Sequence, residues 1–181
     1  MIAIHERVES LCRSAEVFTN DLEDTSFVSS VPFEAERIGA AAVYCADGRY
    51  GDQMDEFLHL GLGFPRYDRL AVPGGAACLA DHIQAMRERS ALERQLRFLV
   101  EVHELSQVVL IAHQDCAFYN TIRWRAASLE QQQFTDLVRA AERIREYAPE
   151  INIAGYFARR VGGRVRFDAA PGLVKPRSIG L

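Results

Sequence analysis

From about residue 38 onward, two kinds of apolar run alternate along the chain. Ile38-Gly-Ala-Ala-Ala-Val-Tyr44 and Val108-Val-Leu-Ile-Ala112 are short, continuous and partly β-branched. Continuous runs of this length suit strands buried on both faces of a parallel sheet. Residues 67–72 and 151–158 read as two further strands. Between the strands, apolar positions recur at three- and four-residue steps. Ile83, Met86, Leu92, Leu96, Leu99, Val100 and Val102 predict one helix over 81–105. A second helix is predicted over 128–147, stopped by Pro149. Asp52 is placed to cap a shorter one whose inner side carries Met54, Phe57, Leu58 and Leu60. Gly162-Gly163 then turns the chain into 164–167, an antiparallel edge strand. Strand and helix in alternation predict an α/β fold. It is a mostly parallel sheet of about four strands plus an antiparallel edge strand, flanked by helices and joined by right-handed crossovers.

Ahead of the first strand, Val8, Leu11, Cys12 and Ala15 share one helical face, and residues 24–32 read as a loop. Residues 1–36 are therefore expected to be an N-terminal helical arm, packed on a partner or folded as a flap on its own core. The single domain expected from the length divides into this arm, an α/β core over 37–160, and an edge strand with an irregular tail over 161–181. Composition changes this picture little. The 181 residues are 49% apolar and 25% charged, with a formal charge of −4. That balance gives no electrostatic reason for nucleic acid or an anionic membrane as partner. No apolar stretch approaches the roughly 20 residues that cross a bilayer. The opening Met1-Ile-Ala-Ile-His-Glu-Arg lacks the basic region and apolar core of a signal peptide, so a cytoplasmic location is expected.

The chemistry lies where two strands end. The first motif is Cys45-Ala-Asp47-Gly-Arg49 and the second is His113-Gln-Asp-Cys116. In an open α/β sheet, sites form just beyond the C-terminal ends of the strands. If these two strands are neighbours, Cys45, His113 and Cys116 meet at one edge. Two thiolates and an imidazole form a zinc set, and three protein ligands leave a fourth position open, the arrangement of a catalytic metal. Asp47 and Arg49, two residues apart beyond the strand, can point to the same side. Cys12 and Cys78 have no ligand-type neighbours and read as small apolar residues. Asp115 reads as the acid at a helix N-terminus. His59, His82 and His103 fall in predicted helices as surface or satisfied core residues, and Trp124 reads as buried packing. Tyr50 and Tyr119 either line the pocket or pack. Gly74 and Gly75 either bring backbone N–H groups to the site or simply form a turn.

Cys-x-Asp-x-Arg after one strand and His-x-x-Cys after a later one, in this order, resemble the β-class carbonic anhydrases. The likeness covers residues 38 to about 160, including Val72-Pro-Gly-Gly-Ala76 between the motifs. It implies a zinc ion (Zn2+) on Cys45, His113 and Cys116. It also implies an Asp47–Arg49 pair beside the metal, with Asp47 accepting a hydrogen bond from zinc-bound hydroxide. The activity implied is that of a lyase (carbonate dehydratase), the reversible hydration of CO2 to bicarbonate, in a homodimer or higher even oligomer. The chain departs from the family pattern at Ala112 and Ala117, where glycine is usual. It departs again at Val72-Pro73, where an Arg-Asn pair is common, and in lacking a Gln ahead of the first Cys, with Glu34 and Glu36 nearest. These changes admit a zinc-dependent hydrolase of carbonyl sulfide or carbon disulfide, or a non-catalytic zinc-binding protein of the same fold.

Overall fold

The computed structural model describes residues 26–173, and the chain divides into two units, residues 1–36 and 37–181. The expected helix around Val8, Leu11, Cys12 and Ala15 lies outside the described residues. In the first unit, residues 26–36 carry no helix or strand, and Phe27, Val28, Val31 and Phe33 are exposed.

The second unit is built on five strands: β1 (Ala40–Cys45), β2 (Asp68–Val72), β3 (Gln107–His113), β4 (Asn152–Val161) and β5 (Arg164–Ala169). They lie in the order β2-β1-β3-β4-β5. Every pair is parallel except the last, so the antiparallel strand sits at the edge as expected. β1 and β3 are central, which explains their unbroken apolar runs: both faces are covered. Ala41, Val43, Val108 and Leu110 face one core with Ile153, while Ala40, Ala42, Tyr44, Val109 and Ile111 face the other. Burial of each large aliphatic side chain in these layers is worth roughly 1.5–3 kcal/mol.

The first core is covered by two long helices, α2 (Met86–Val102) and α3 (Leu129–Arg145), through Leu92 and Leu96 on one and Leu137, Ala140, Ala141 and Ile144 on the other. Ser128 caps α3 by accepting the Gln131 N–H at 3.1 Å, the first half of an S-x-x-Q capping box. The second core is covered by α1 (Gly51–Glu56) and a π-helical turn, Phe57–Gly61.

Three details differ from the sequence reading. The π turn adds one residue to the helical phase through a Leu62 N–H to Phe57 C=O bond of 2.9 Å. Leu58 is therefore buried while Leu60 is 68% exposed, contrary to the inward face expected for it. The predicted 81–105 helix is instead a separate 3-10 turn, Ile83–Ala85, followed by α2. That break leaves Ile83 and Met86 exposed. Trp124, expected in the core, lies in an irregular segment and is 37% exposed.

The start of α3 is tied to the β4–β5 hairpin by charge. Arg159 donates to both Glu130 oxygens at 2.7 and 2.8 Å and to Asp168 at 3.1 Å, and Arg166 also pairs with Asp168. Hydrogen bonds from Arg159 hold Glu130 below its ordinary value, and those from Arg166 do the same for Asp168. A carboxyl depressed in the folded state contributes stability in full above its unfolded value, and that stability is lost as pH falls through the folded value. Thermal melts should therefore show the midpoint falling as pH drops below about 4. Arg159→Met should have a shallower acid limb and a lower midpoint at pH 7. An acid limb as steep as that of the unmutated protein would show that these pairs do not contribute.

Candidate metal centre

The strand order reverses direction between β1 and β3: β1 connects outward to β2 on one side, and β3 continues to β4 on the other. Such a switch point opens a crevice beyond the carboxyl ends of the two strands. The parallel register pairs Tyr44 with Ile111, so Cys45 and His113, the last residues of their strands, emerge together. Cys116 follows after a tight turn in which Asp115 has φ of 56°. Asp115 lies one residue ahead of the cap of a short 3-10 turn, Ala117–Asn120, rather than of an α-helix, and it is ion-paired with Arg160 at the surface.

The three side chains converge. The donor atoms of Cys45, His113 and Cys116 all lie within 4.8 Å of one another, and together they could hold a metal ion. Cys45 Sγ and Cys116 Sγ are 3.8 Å apart. The Cys116 thiol donates to Cys45, which holds Cys45 well below the ordinary thiol value and pushes Cys116 up. Cys45 also accepts the Gly74 N–H at 3.4 Å. Of the two readings of the Gly74-Gly75 turn, the structure therefore supports close approach of its backbone to the site.

His113 is 1% exposed and tightly held. Its Nδ1 is 2.9 Å from the Gln114 carbonyl, which can only accept, so Nδ1 carries the proton. Nε2 is then the lone-pair nitrogen, and it is buried with no hydrogen-bond partner. An orphaned buried acceptor aimed between two thiols is what a metal ligand looks like without its metal. Tyr50 donates to the same Gln114 carbonyl at 3.0 Å and tilts its ring against His113, with centroids 4.4 Å apart. Gln114 is itself held on β4, its Oε1 accepting the Arg160 N–H at 3.1 Å.

Asp47 and Arg49 do turn to the same side. Arg49 Nη2 reaches Asp47 Oδ2 at 2.6 Å, and its Nε reaches Oδ1 at 2.9 Å. Asp47 Oδ1 also accepts the Arg49 N–H at 3.1 Å, capping the short turn that leads into α1. Hydrogen bonding from Arg49 keeps the Asp47 carboxyl down at about 2. Its charge is felt by both His113 and Cys116.

The family described as "Putative carbonic anhydrase" matches residues 35–165. The chain belongs to this family. Among solved structures, the carbonic anhydrase from Glaciozyma antarctica is 17% identical, with 91% of this chain and 95% of that one covered and a TM-score of 0.49. The β-carbonic anhydrase isoform I from Trichomonas vaginalis is 13% identical, with coverages of 92% and 97% and a TM-score of 0.44. The carbonic anhydrase from Streptococcus mutans is 18% identical, with coverages of 88% and 96% and a TM-score of 0.42. No curated protein matches this chain.

Among family members this chain's own details matter. Ala112 is half-buried at the end of β3, and Ala117 is exposed. Glu34 and Glu36 lie in the first unit. Cys78 is a buried free thiol donating to the Pro73 carbonyl at 3.1 Å, in keeping with a small apolar role. His59 and His103 each have a partner, the Phe64 carbonyl and Asp68, both at 2.6 Å. Sequence reasoning missed Gln133, whose Nε2 donates to the His113 carbonyl at 2.8 Å from the buried face of α3. The available signal was a polar residue in an apolar stripe, in step with Leu137, Ala140 and Ile144.

The Gly74-Gly75 bend is fixed by sterics as well as by the thiol. Gly75 has φ of 53°, and a Cβ there would stand 2.6 Å from the Tyr44 carbonyl carbon, backbone that cannot move aside. Gly75→Ala should therefore lower stability by roughly 1–3 kcal/mol, read as a drop in the denaturant midpoint. An unchanged midpoint would mean that the bend is not held against β1.

Proposed function

We propose that this protein is a zinc-dependent carbonate dehydratase, a lyase acting on CO2 and bicarbonate. The convergence of Cys45, His113 and Cys116 beside the Asp47–Arg49 pair carries the reading. Zinc is supported by the donor chemistry and by distance. Two thiolates about 2.3 Å from one ion at a tetrahedral angle lie about 3.8 Å apart, the separation of the two sulfurs here. The neutral His113 Nε2 completes a three-ligand set with one position left open. A zinc ion held there supplies Lewis acidity that makes water nucleophilic near neutral pH.

The chain's own residues do the rest. Asp47 is the proposed catalytic carboxylate: kept ionised by Arg49, it would accept a hydrogen bond from an O–H of the reacting group and fix that group's orientation. Arg49 positions Asp47, since its two-pronged grip and its own N–H leave the carboxylate little freedom to rotate. Holding the reacting group at one angle is the entropy contribution of such a pair. The dry surroundings of His113 and Cys116, both buried, strengthen every charge interaction at the centre. A second copy of the chain is the proposed macromolecular partner. The exposed Phe27, Val28, Val31 and Phe33 support it, and a monomer in sedimentation equilibrium would exclude it.

Stopped-flow CO2 hydration at mildly alkaline pH, on protein with measured zinc content, tests the function. The expected result is one zinc per chain and a rate well above buffer. Asp47→Asn should keep the zinc and lose rate on the order of 10²-fold. Cys45→Ser should lose the metal. A full zinc complement with no hydration would overturn the CO2 reading and leave carbonyl sulfide, carbon disulfide or a non-catalytic role.

A further inference from the structure

A buried polar cluster lies behind the metal centre, and nothing in the proposed chemistry uses it. Asp136 is 1% exposed on the inner face of α3. Its Oδ2 accepts from the Tyr119 hydroxyl at 2.7 Å and from His82 Nε2 at 2.8 Å, and its Oδ1 accepts from Gln132 Nε2 at 2.8 Å. Tyr119, His82 and Gln132 are themselves buried. An apolar side chain would fill this volume at less cost, because a buried carboxyl must recover its lost hydration from every donor around it. Three donors do so here: Gln132 from one turn back on α3 itself, and Tyr119 and His82 from two other segments, whose direction these bonds fix.

One of those segments carries Cys116, and the other reaches Cys45 on β1. Tyr119 sits one turn beyond Cys116, and its N–H donates to the Cys116 carbonyl at 3.2 Å. The hydroxyl bond to Asp136 therefore clamps that turn, Ala117–Asn120, from its far side. His82 follows the 3-10 turn Gly75–Leu79, and the N–H of the peptide leading into that turn, at its cap Gly74, reaches Cys45 Sγ. A run of backbone bonds, Ala77 to Gly74, Ala80 to Ala77 and His82 to Ala80, ties His82 to that peptide. Ala77, Ala85, Cys116, Tyr119 and Ile122 pack as one small cluster, so the two loops also touch each other.

We propose that Asp136 is a positioning residue for the metal centre, holding the Cys116 turn through Tyr119 and the loop that supports Cys45 through His82. With Gln133 on the His113 carbonyl, one face of α3 then braces all three ligand positions. The inference rests on the zinc reading above. Tyr119 and His82 act through the ligand loops and not on the substrate.

Zinc release separates this role from simple core stability. Zinc-loaded protein is mixed with an excess of a chromophoric chelator, and the release rate is compared among the unmutated chain, Asp136→Asn, Tyr119→Phe and Ile144→Val. Asp136→Asn keeps the shape but replaces an acceptor by an N–H facing donors. Tyr119→Phe deletes one oxygen and decides the matter if Asp136→Asn does not fold. Both variants should release zinc about tenfold faster or more, the range typical of lost outer-shell support. Their cobalt-loaded forms should show an altered thiolate-to-cobalt absorption band. Ile144→Val, which loosens the same helix in its apolar stripe, should release zinc at the unmutated rate. Release from both cluster variants within about twofold of the unmutated rate, or equal acceleration by Ile144→Val, would overturn the positioning role. Unmutated protein that holds no zinc would overturn the metal reading itself, and this inference with it.

Discussion

The candidate centre depends first on one backbone constraint, the parallel pairing of β1 with β3 at the sheet's switch point. Parallel strands deliver their carboxyl ends to the same edge, and the register of Tyr44 opposite Ile111 brings Cys45 and His113 out side by side. A slip of one residue would turn each side chain to the opposite face. The register is secured because both strands are buried on both sides by two different cores. The alanines of β1 fit this duty. Small side chains let covering layers approach closely, and Gly75 packs against the backbone of Tyr44 and Cys45.

From that constraint the electrostatics follow. Two sulfurs placed 3.8 Å apart cannot both carry a full charge cheaply without a cation, and in the protein alone the Cys116 thiol donates to Cys45. A metal removes the conflict by taking both as thiolates. The imidazole is prepared for the same partner, since its proton is committed to a backbone carbonyl on the side away from the sulfurs. The crowded sulfurs and the orphaned nitrogen are separate features of the site, and one divalent ion would relieve both.

How much of this was legible in the sequence depended on what each residue answers to. The strands and the three converging side chains could be read because periodicity and strand-end chemistry are local signals. β4 and β5 ran further than expected, to Val161 and Ala169, because a hairpin extends itself by pairing once it has formed. Leu60, Ile83 and Met86 were misread for a different reason. A π turn and a 3-10 break each shift helical phase by a residue, and no pattern of apolar letters records such a shift. The helix that follows Asp115 is a 3-10 turn of four residues, too short for periodicity to tell it from the start of an α-helix. Gln133 and Asp136 were visible only as polar letters inside the apolar stripe of α3. Their meaning depends on what lies across from them, which is tertiary information.

Burial also gives the centre a direction. His113 and Cys116 are buried, Cys45 is partly exposed, Asp47 is partly exposed, and Arg49 stands in solvent. Protein fills the space behind the imidazole and the second sulfur: Tyr50 lies against the ring, and Tyr119 and Ile122 pack with Cys116. In the proposed reading, a small molecule would therefore approach the three ligand side chains from the Asp47 side, where Cys45 and Asp47 are partly exposed. That accounts for the division of labour between two carboxyls of the same chain. Asp136 is buried and satisfied by three donors, which suits a brace. Asp47 is at the mouth and paired with a flexible surface arginine, which suits a group that must meet substrate and still remain charged in acid.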